Sequence, residues 1–176
     1  TFATRWTKSE AGEPGLTIVR VDSAHFQQLL PLLSWRLTGK EPEEFSADAF
    51  KRAVGEHYSI PAHHEDSVEH FLASGYLVIY AAECEHRFVG YVSFFKQPKP
   101  NFLLCYYIDE LWVAPEFRRR GIATALLTEV AAVARENHAV QTRLYVSGDN
   151  DAARALYARS GYTEIGNALF CTHPLD

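Results

Sequence analysis

A run of three arginines and a glycine, Arg118 to Gly121, constrains this sequence more than any other feature. It lies between an apolar, strand-like segment at residues 108–113 and a long segment with helical spacing. Glycine at a helix start lets a ligand come close to the backbone, and the N–H groups of the first turn have no partner within the helix. The helix dipole and the guanidinium groups add positive charge there. The run therefore predicts a site for an anion such as a pyrophosphate.

A second motif further along the chain has the order N-x-x-A-x-x-x-Y-x-x-x-G-Y. Its residues Asn150, Ala153 and Tyr157 recur at the three- and four-residue spacing of one helix face. Gly161 follows, and glycine commonly ends a helix. Asparagine also suits the cap at a helix start. The motif therefore predicts a short helix that begins at Asn150 and presents these three side chains together.

Together the two motifs resemble the GNAT superfamily of acyl-CoA-dependent N-acyltransferases. The family pattern is Arg or Gln, two residues, Gly, one residue, and then Gly or Ala; Arg118, Gly121 and Ala123 fit it. Residues 109–118 also resemble the family's strand and turn leading into the pyrophosphate loop. The resemblance is specific for residues 108–162. Ala123 stands where glycine is commoner, and its methyl group narrows the approach of the pyrophosphate.

The hydrophobic pattern predicts an α/β (α+β) fold with a mixed sheet. Strands are expected at residues 16–21, 76–84, 87–95, 102–113, 142–146, 162–165 and 168–172, and helices at residues 24–38, 47–57, 65–73, 120–137 and in the second motif. The runs up to residue 113 favour an antiparallel meander, and the strand–helix–strand unit over residues 102–146 predicts a central parallel pair. The resemblance implies that this pair splays apart at the cofactor site, with helices on both faces of the sheet.

Composition limits the class of protein. With 176 residues, 47% of them hydrophobic, and no linker-like segment, the sequence predicts one domain over residues 1–176. The net charge of -5 argues against a nucleic-acid partner. No apolar stretch reaches the ~20 residues that a membrane span needs, and residues 1–14 carry no signal-peptide core, so we expect no membrane partner. Three cysteines, an odd number in apolar runs, favour a cytoplasmic location.

The resemblance implies acetyl-CoA as the acyl donor. Its pantetheine arm would pair with the backbone of the strand before the loop, and its pyrophosphate would lie on the loop and the start of the next helix. The implied cofactor-binding residues are Leu111, Trp112, Val113, Arg118, Arg119, Arg120, Gly121, Ile122, Ala123, Thr124, Asn150, Ala153 and Tyr157.

Transfer of an acyl group to an amine needs a proton acceptor, because an ammonium group has no lone pair. Asp109 and Glu110 are the candidates. Strand alternation gives two sets: Tyr107, Asp109 and Leu111 on one face, and Ile108, Glu110 and Trp112 on the other. Only one carboxylate then faces a cleft, unless a β-bulge intervenes. The resemblance makes Asp109 the first choice, and Glu110 follows closely because a bulge would shift the alternation.

The resemblance also implies the remaining catalytic roles. A backbone N–H near Trp112 or Val113 would hold the oxyanion of the tetrahedral intermediate. Tyr157 would protonate the departing CoA thiolate. Direct transfer within a ternary complex is the simpler mechanism, because no cysteine lies at a helix start or beside an activating histidine in the sequence.

Several questions stay open at this point. The acceptor is either a small-molecule amine or an amine of a peptide or protein, and a homodimer is expected only from the family habit. A non-catalytic acyl-CoA sensor is the alternative to an enzyme. A dinucleotide-binding protein fits less well, because the glycine pattern is not G-x-G-x-x-G. Four histidines at residues 57–70 lie near acidic residues, but their spacing does not favour a metal site, so we expect no metal.

Overall fold

The computed structural model describes residues 15–58 and 65–166. Along the chain it contains β1 (Thr17–Arg20), α1 (Ser23–Thr38), α2 (Ala47–Tyr58), α3 (Glu65–Ser74), β2 (Leu77–Cys84), β3 (Arg87–Pro98), β4 (Leu104–Val113), a 3₁₀ turn (Pro115–Phe117), α4 (Ile122–Glu136), β5 (Gln141–Arg143) and α5 (Asp151–Arg159). The chain forms two compact units, one ending at Tyr145 and the other beginning at Val146.

The first unit is built on a mixed sheet with the strand order β1-β2-β3-β4-β5. Strands β1 to β4 pair antiparallel with their neighbours, and β4 and β5 pair parallel. This is the α/β mixed sheet that the sequence predicts, with an antiparallel meander followed by a parallel pair. β5 is the outermost strand among the described residues, and it is shorter than the predicted strand at residues 142–146.

The turn between β2 and β3 explains why these strands form a tight hairpin. Glu85 and His86 both have positive φ, 50° and 64°, and the pair Cys84–Arg87 closes the ladder on either side of them. A two-residue turn with two positive φ values matches the right-handed twist of the flanking strands. The sequence analysis predicted this hairpin, although its turn contains neither Asn nor Gly, the residues that usually mark such a turn.

Helices cover both faces of the sheet in the first unit. On one face, α1 and α3 contribute Leu29, Trp35 and Leu72 to a buried cluster that includes Tyr91 of β3. On the other face, α4 buries an apolar stripe made of Ile122, Ala125, Leu126, Leu127, Val130 and Ala134. The burial of both faces agrees with the runs of consecutive apolar residues in β2 and β3.

A β-bulge at Asp109 overturns the simple alternation expected for β4. Ser93 pairs with Glu110 whereas its neighbour Phe94 pairs with Ile108, so Asp109 is the extra residue. The extra residue is on β4, so residues 91–95 of β3 alternate regularly between the two faces of the sheet. Paired residues lie on the same face, and the partners of these β3 residues therefore show which β4 side chains share a face. The residues that share the face towards α1 are Tyr107, Glu110 and Trp112, paired with Phe95, Ser93 and Tyr91.

The second unit contains α5 in the described residues. Asn150 caps it, as predicted, and Gly161 lies just beyond its end with φ 87°. Residues 162–165 do not form the predicted strand. A strand needs a hydrogen-bonded partner, and the predicted partner at residues 168–172 lies outside the described residues.

Candidate functional site

β4 and β5 pair along only a short part of β4. Their ladder runs from the pair Cys105–Gln141 to the pair Tyr107–Arg143. β4 continues to Val113, whereas β5 ends at Arg143. The edge of β4 beyond Tyr107 is therefore not paired with β5. An unpaired edge offers backbone N–H and C=O groups to an extended ligand.

The loop from Ala114 to Gly121 is held against the end of β4. The Ala114 N–H donates to the carbonyl of Val89 at 2.9 Å, and the Nε–H of Arg118 donates to the carbonyl of Val113 at 2.9 Å. Arg118 thus fixes the loop through its Nε. The sequence analysis expected Arg118 to contact the cofactor and did not predict this hydrogen bond within the loop.

Gly121 begins α4 in the left-handed conformation, with φ 81° and ψ 0°. No heavy atom lies within 4 Å of the position that a Cβ would take there, so the backbone is open to a ligand. The first helical hydrogen bond runs from the Ala125 N–H to the Gly121 carbonyl at 2.9 Å. The N–H groups of Ile122, Ala123 and Thr124 consequently have no acceptor within the helix. With the helix dipole, they give this helix start the local features that the sequence analysis expects of an anion site.

Two exposed arginines complete the loop. Arg119 adopts a φ of 61°, which is uncommon for a residue with a side chain. The guanidinium carbon of Arg120 lies 5.2 Å from the centre of the Phe117 ring, a distance typical of a cation–π contact. The structure therefore gives the three arginines different surroundings, although they are consecutive in sequence.

Glu110 is held by two neighbours on the face towards α1. The buried Tyr91 hydroxyl donates a hydrogen bond to Glu110 Oε2, and Arg36 Nη2 of α1 lies 3.5 Å from Glu110 Oε1. Burial raises the pKa of the Tyr91 phenol well above its usual range, and the Glu110 charge raises it further. Tyr91 therefore remains a hydrogen-bond donor at physiological pH.

Asp109 has a different environment from Glu110. No described residue donates a hydrogen bond to its carboxylate. Although the residue is solvent-accessible, partial burial raises the pKa of its carboxyl, and the adjacent Glu110 charge adds to the increase. The Asp109 carboxylate therefore combines a raised pKa with oxygens that no described residue occupies.

The second unit carries the other candidate residues on one helix. Asn150 Oδ1 accepts a hydrogen bond from the Ala153 N–H at 3.1 Å, which is the capping contact expected from the sequence. The Tyr157 ring is half-buried and lies 5.7 Å from the Tyr162 ring. Burial raises the pKa of the Tyr157 phenol, and Tyr162 raises it further. The phenol is therefore protonated at neutral pH.

A row of aromatic side chains crosses the sheet at the point where β5 ends. Tyr76 stacks on Phe95 at 5.9 Å, Phe95 lies 5.1 Å from Tyr107, and Tyr107 lies 5.9 Å from Tyr145. Tyr76 and Tyr145 are 45% and 59% exposed, so the row is accessible at both ends. We call these four residues the aromatic row.

Three further observations concern the described residues alone. They contain no cluster of three or more His, Cys, Asp and Glu side chains arranged to bind a metal. Cys84 and Cys105 are both buried. None of the helices in this part of the chain has the length and apolar character needed to cross a membrane.

Comparison with known proteins agrees with this geometry. Residues 40–162 match the Acetyltransferase (GNAT) family, which is more than half of the chain. The chain therefore belongs to the GNAT acetyltransferase family. It is an acyltransferase of the acetyl-CoA-dependent class that this family defines.

Solved structures share the fold over nearly the whole chain. An aminoglycoside acetyltransferase, HMB0005, from an uncultured soil metagenomic sample has a TM-score of 0.71 and 20% identity, and the match covers 92% of this chain and 99% of that chain. AAC(6')-Iy in complex with the bisubstrate analog CoA-S-monomethyl-acetylneamine has a TM-score of 0.66 and 16% identity, with coverage of 91% and 99%. A ribosomal-protein-alanine N-acetyltransferase from Brucella melitensis biovar Abortus 2308 has a TM-score of 0.63 and 20% identity, with coverage of 89% and 98%.

These low identities support the fold and leave the acceptor undetermined. No curated protein sequence matches the chain.

Sequence reasoning missed the two partners of Glu110. Arg36 lies on α1 and Tyr91 on β3, and neither belongs to a motif that names a function. Their approach to Glu110 depends on the bulge at Asp109, which turns Glu110 towards α1. The sequence pointed to this contact only through the two adjacent acids, Asp109 and Glu110, in a predicted strand. That pair does not show which of the two side chains lies on the face towards α1.

Proposed function

We propose that this protein is an N-acetyltransferase that transfers the acetyl group of acetyl-CoA to a primary amine by direct attack in a ternary complex. One observation carries the proposal. Beyond Tyr107, β4 has an edge that is not paired in the described residues, and β4 is followed by the loop to the open start of α4 at Gly121. The first feature suits an extended pantetheine arm and the second suits a pyrophosphate. The proposal treats residues 1–176 as a single domain, because the sequence contains no linker-like segment.

The cofactor-binding residues in this proposal follow from that edge and helix start. The backbone of Leu111, Trp112 and Val113 pairs with the pantetheine arm. The loop and first helical turn, Arg118, Arg119, Arg120, Gly121, Ile122, Ala123 and Thr124, hold the pyrophosphate through N–H groups and guanidinium charge. Asn150, Ala153 and Tyr157 contribute from α5, a role that rests on the family motif.

The reaction begins with loss of a proton from the acceptor ammonium group to Asp109, directly or through water. The resulting amine attacks the thioester carbonyl and forms a C–N bond. Glu110 is less suited to accept the proton because Tyr91 and Arg36 already occupy its oxygens. We assign it the role of a fixed negative charge beside Asp109, which attracts the cationic acceptor.

The tetrahedral intermediate then collapses. A backbone N–H near Trp112 or Val113 stabilises its oxyanion, the C–S bond breaks, and the nitrogen loses its remaining extra proton to solvent. Tyr157 donates a proton to the CoA thiolate. The Tyr157 phenol keeps its proton at neutral pH and is therefore available as the donor.

The acceptor is a small-molecule amine or an amine of a peptide or protein. Similar folds include aminoglycoside acetyltransferases and a ribosomal-protein-alanine N-acetyltransferase, which support both classes equally. The aromatic row and the carboxylate of Asp109 offer apolar and negative surfaces next to the end of β5. Cation–π contact with such rings would favour an ammonium-bearing acceptor.

The proposed function is tested by measuring CoA thiol release from acetyl-CoA in the presence of a panel of amines and amine-bearing peptides. Mass spectrometry then identifies any acetylated product. Thiol release that depends on one amine and yields its N-acetyl derivative is the expected result. Binding of acetyl-CoA without transfer to any member of a broad panel would favour the sensor instead.

A further inference from the structure

A chain of contacts joins the segment between α1 and α2 to the cofactor loop. Glu41 Oε1 lies 2.7 Å from Arg87 Nη1, within hydrogen-bonding distance. The guanidinium carbon of Arg87 lies 5.2 Å from the centre of the Phe117 ring. Arg120 lies at the same distance, 5.2 Å, from that ring. Glu41, Arg87, Phe117 and Arg120 thus form a continuous set, which we call the arginine relay.

In the arginine relay, the positively charged side chains of Arg87 and Arg120 both contact the Phe117 ring. The guanidinium groups of Arg87 and Arg120 are at most about 10 Å apart, which is comparable to the Debye length at 0.1 M salt. Their repulsion is incompletely screened at that distance. An anion placed near both would relieve it, as would the Glu41 carboxylate on the Arg87 side.

Arg87 is well placed to meet such an anion. It comes from the start of β3, yet it contacts the ring that precedes the three arginines of the loop. Its side chain is half-exposed, so a ligand can reach it. Arg118 uses its Nε on the Val113 carbonyl, whereas Arg87 makes an exposed ion pair with Glu41 in the described part of the chain.

Glu41 lies at the border of a cavity on the face towards α1. The cavity has a volume of about 250 Å³, and Leu32, Trp35, Phe88 and Arg87 line it together with Glu41. Trp35 also contacts Trp112 of β4 edge-to-face at 5.8 Å. The carboxylate that holds Arg87 therefore borders a cavity whose lining includes Trp35, a residue that contacts β4.

We propose that Arg87 is a further cofactor-binding residue, whose guanidinium group takes a phosphate of acetyl-CoA, and that Glu41 competes with this phosphate for it. The inference rests on the proposed function. An exposed ion pair with a carboxylate contributes little free energy, and a phosphate can accept charge-assisted hydrogen bonds from the same guanidinium group, so a phosphate can replace Glu41. Cofactor binding then releases Glu41 and loosens its segment beside the cavity. The segment between α1 and α2 is thereby linked to occupancy of the cofactor site.

The test is a calorimetric titration of acetyl-CoA into the wild type and the variants Glu41→Gln, Arg87→Met and Glu41→Gln/Arg87→Met. Glu44→Gln removes the same charge from the same exposed segment and is the matched control for Glu41. Arg52→Met on α2 is the corresponding control for Arg87. Circular dichroism establishes that each variant is folded.

We expect Glu41→Gln to tighten acetyl-CoA binding by about two- to fivefold, the range of an exposed ion pair. Arg87→Met weakens binding by about tenfold, as expected for loss of one hydrogen bond to a charged group. The double variant binds like Arg87→Met, because Glu41 acts only through Arg87. The controls stay at the wild-type affinity.

Three results would overturn the inference. If Glu41→Gln and Glu44→Gln change the affinity equally, the Glu41 effect is only general electrostatics. If the wild type binds acetyl-CoA and Arg87→Met binds it as tightly, Arg87 takes no part in the cofactor site while the proposed function stands. A wild type that does not bind acetyl-CoA removes the proposed function and this inference together.

Discussion

Asp109 and Glu110 are neighbours in sequence but have different surroundings in the fold. Glu110 contacts Tyr91 and Arg36, whereas no described residue donates a hydrogen bond to Asp109. Burial and the charge of Glu110 both raise the pKa of Asp109. A raised pKa makes a carboxylate more basic, and the proposed mechanism therefore uses Asp109 as the proton acceptor and Glu110 as a fixed charge.

The first residue-scale prediction concerns pH. A general base works only when deprotonated, so kcat/KM falls as the pH drops through the Asp109 pKa, and it falls at a higher pH than for an ordinary aspartate. Glu110→Gln removes a charge that raises this pKa. The acid limb of the pH profile should therefore move to lower pH. Asp109→Asn should lower kcat/KM by about 10²-fold or more at all pH values.

One control variant accompanies the pH profile. Glu116→Gln removes an exposed acid from the loop after β4 and should leave the acid limb in place. If the acid limb of the kcat/KM profile does not shift in Glu110→Gln, the assignment of Asp109 as the base is contradicted. Loss of the limb in Glu110→Gln would identify Glu110 as the base instead.

The second residue-scale prediction concerns the leaving group. Tyr157→Phe removes the phenol proton, so kcat for thiol release should fall by about 10²-fold while the Kd for acetyl-CoA stays nearly constant. Stopped-flow thiol detection and calorimetry measure the two quantities separately. Tyr162→Phe is the matched control, because its ring contacts Tyr157 at 5.7 Å. Equal losses of kcat in both variants would indicate a packing role for Tyr157.

At the level of elements, β3 supports the cofactor loop through Gly90. A Cβ at this position would lie 3.1 Å from the Trp112 carbonyl oxygen, 3.1 Å from Val113 Cγ2 and 3.3 Å from Ile122 Cγ2. Those three residues end β4 and begin α4. The absence of a side chain at Gly90 therefore allows both ends of the proposed pyrophosphate site to pack on β3.

The element-scale prediction is that Gly90→Ala lowers the free energy of unfolding by about 1–3 kcal/mol, the usual cost of overpacking. Its methyl group would push β3 away from the end of β4 and the start of α4, and we expect weaker acetyl-CoA binding as well. Urea denaturation measures the first effect. Gly148→Ala is the control, because nothing lies within 4 Å of its added Cβ. Equal stability of the two variants would contradict this account of Gly90.

The sequence predicted those parts of the site that are close together along the chain. Arg118, Gly121 and the start of α4 could be placed from local spacing, because helix geometry and glycine conformation act over a few residues. The bulge at Asp109 could only be named as a possibility, since it depends on how β3 and β4 pair. Arg36 and Arg87 could not be found, because long-range contacts bring them to their partners.

On the scale of the molecule, several elements of the unit that ends at Tyr145 together form the proposed cofactor site. β4 supplies an unpaired edge, β3 supports its end, and α4 supplies an open helix start. The chain carries a net charge of -5, yet consecutive arginines lie at this helix start. The local positive charge therefore stands out against an acidic protein and favours an anionic ligand there.

Calorimetric titration of the wild type with acetyl-CoA, beside NAD and ATP, tests the cofactor site most directly. The same titration is made with Gly121→Glu, which puts a side chain and a negative charge at the helix start, and with Gly75→Glu, another glycine with positive φ at a helix end. We predict selective binding of acetyl-CoA by the wild type and Gly75→Glu, and no detectable binding by Gly121→Glu. Equal binding of all three ligands, or an unchanged affinity in Gly121→Glu, would contradict the site at the start of α4.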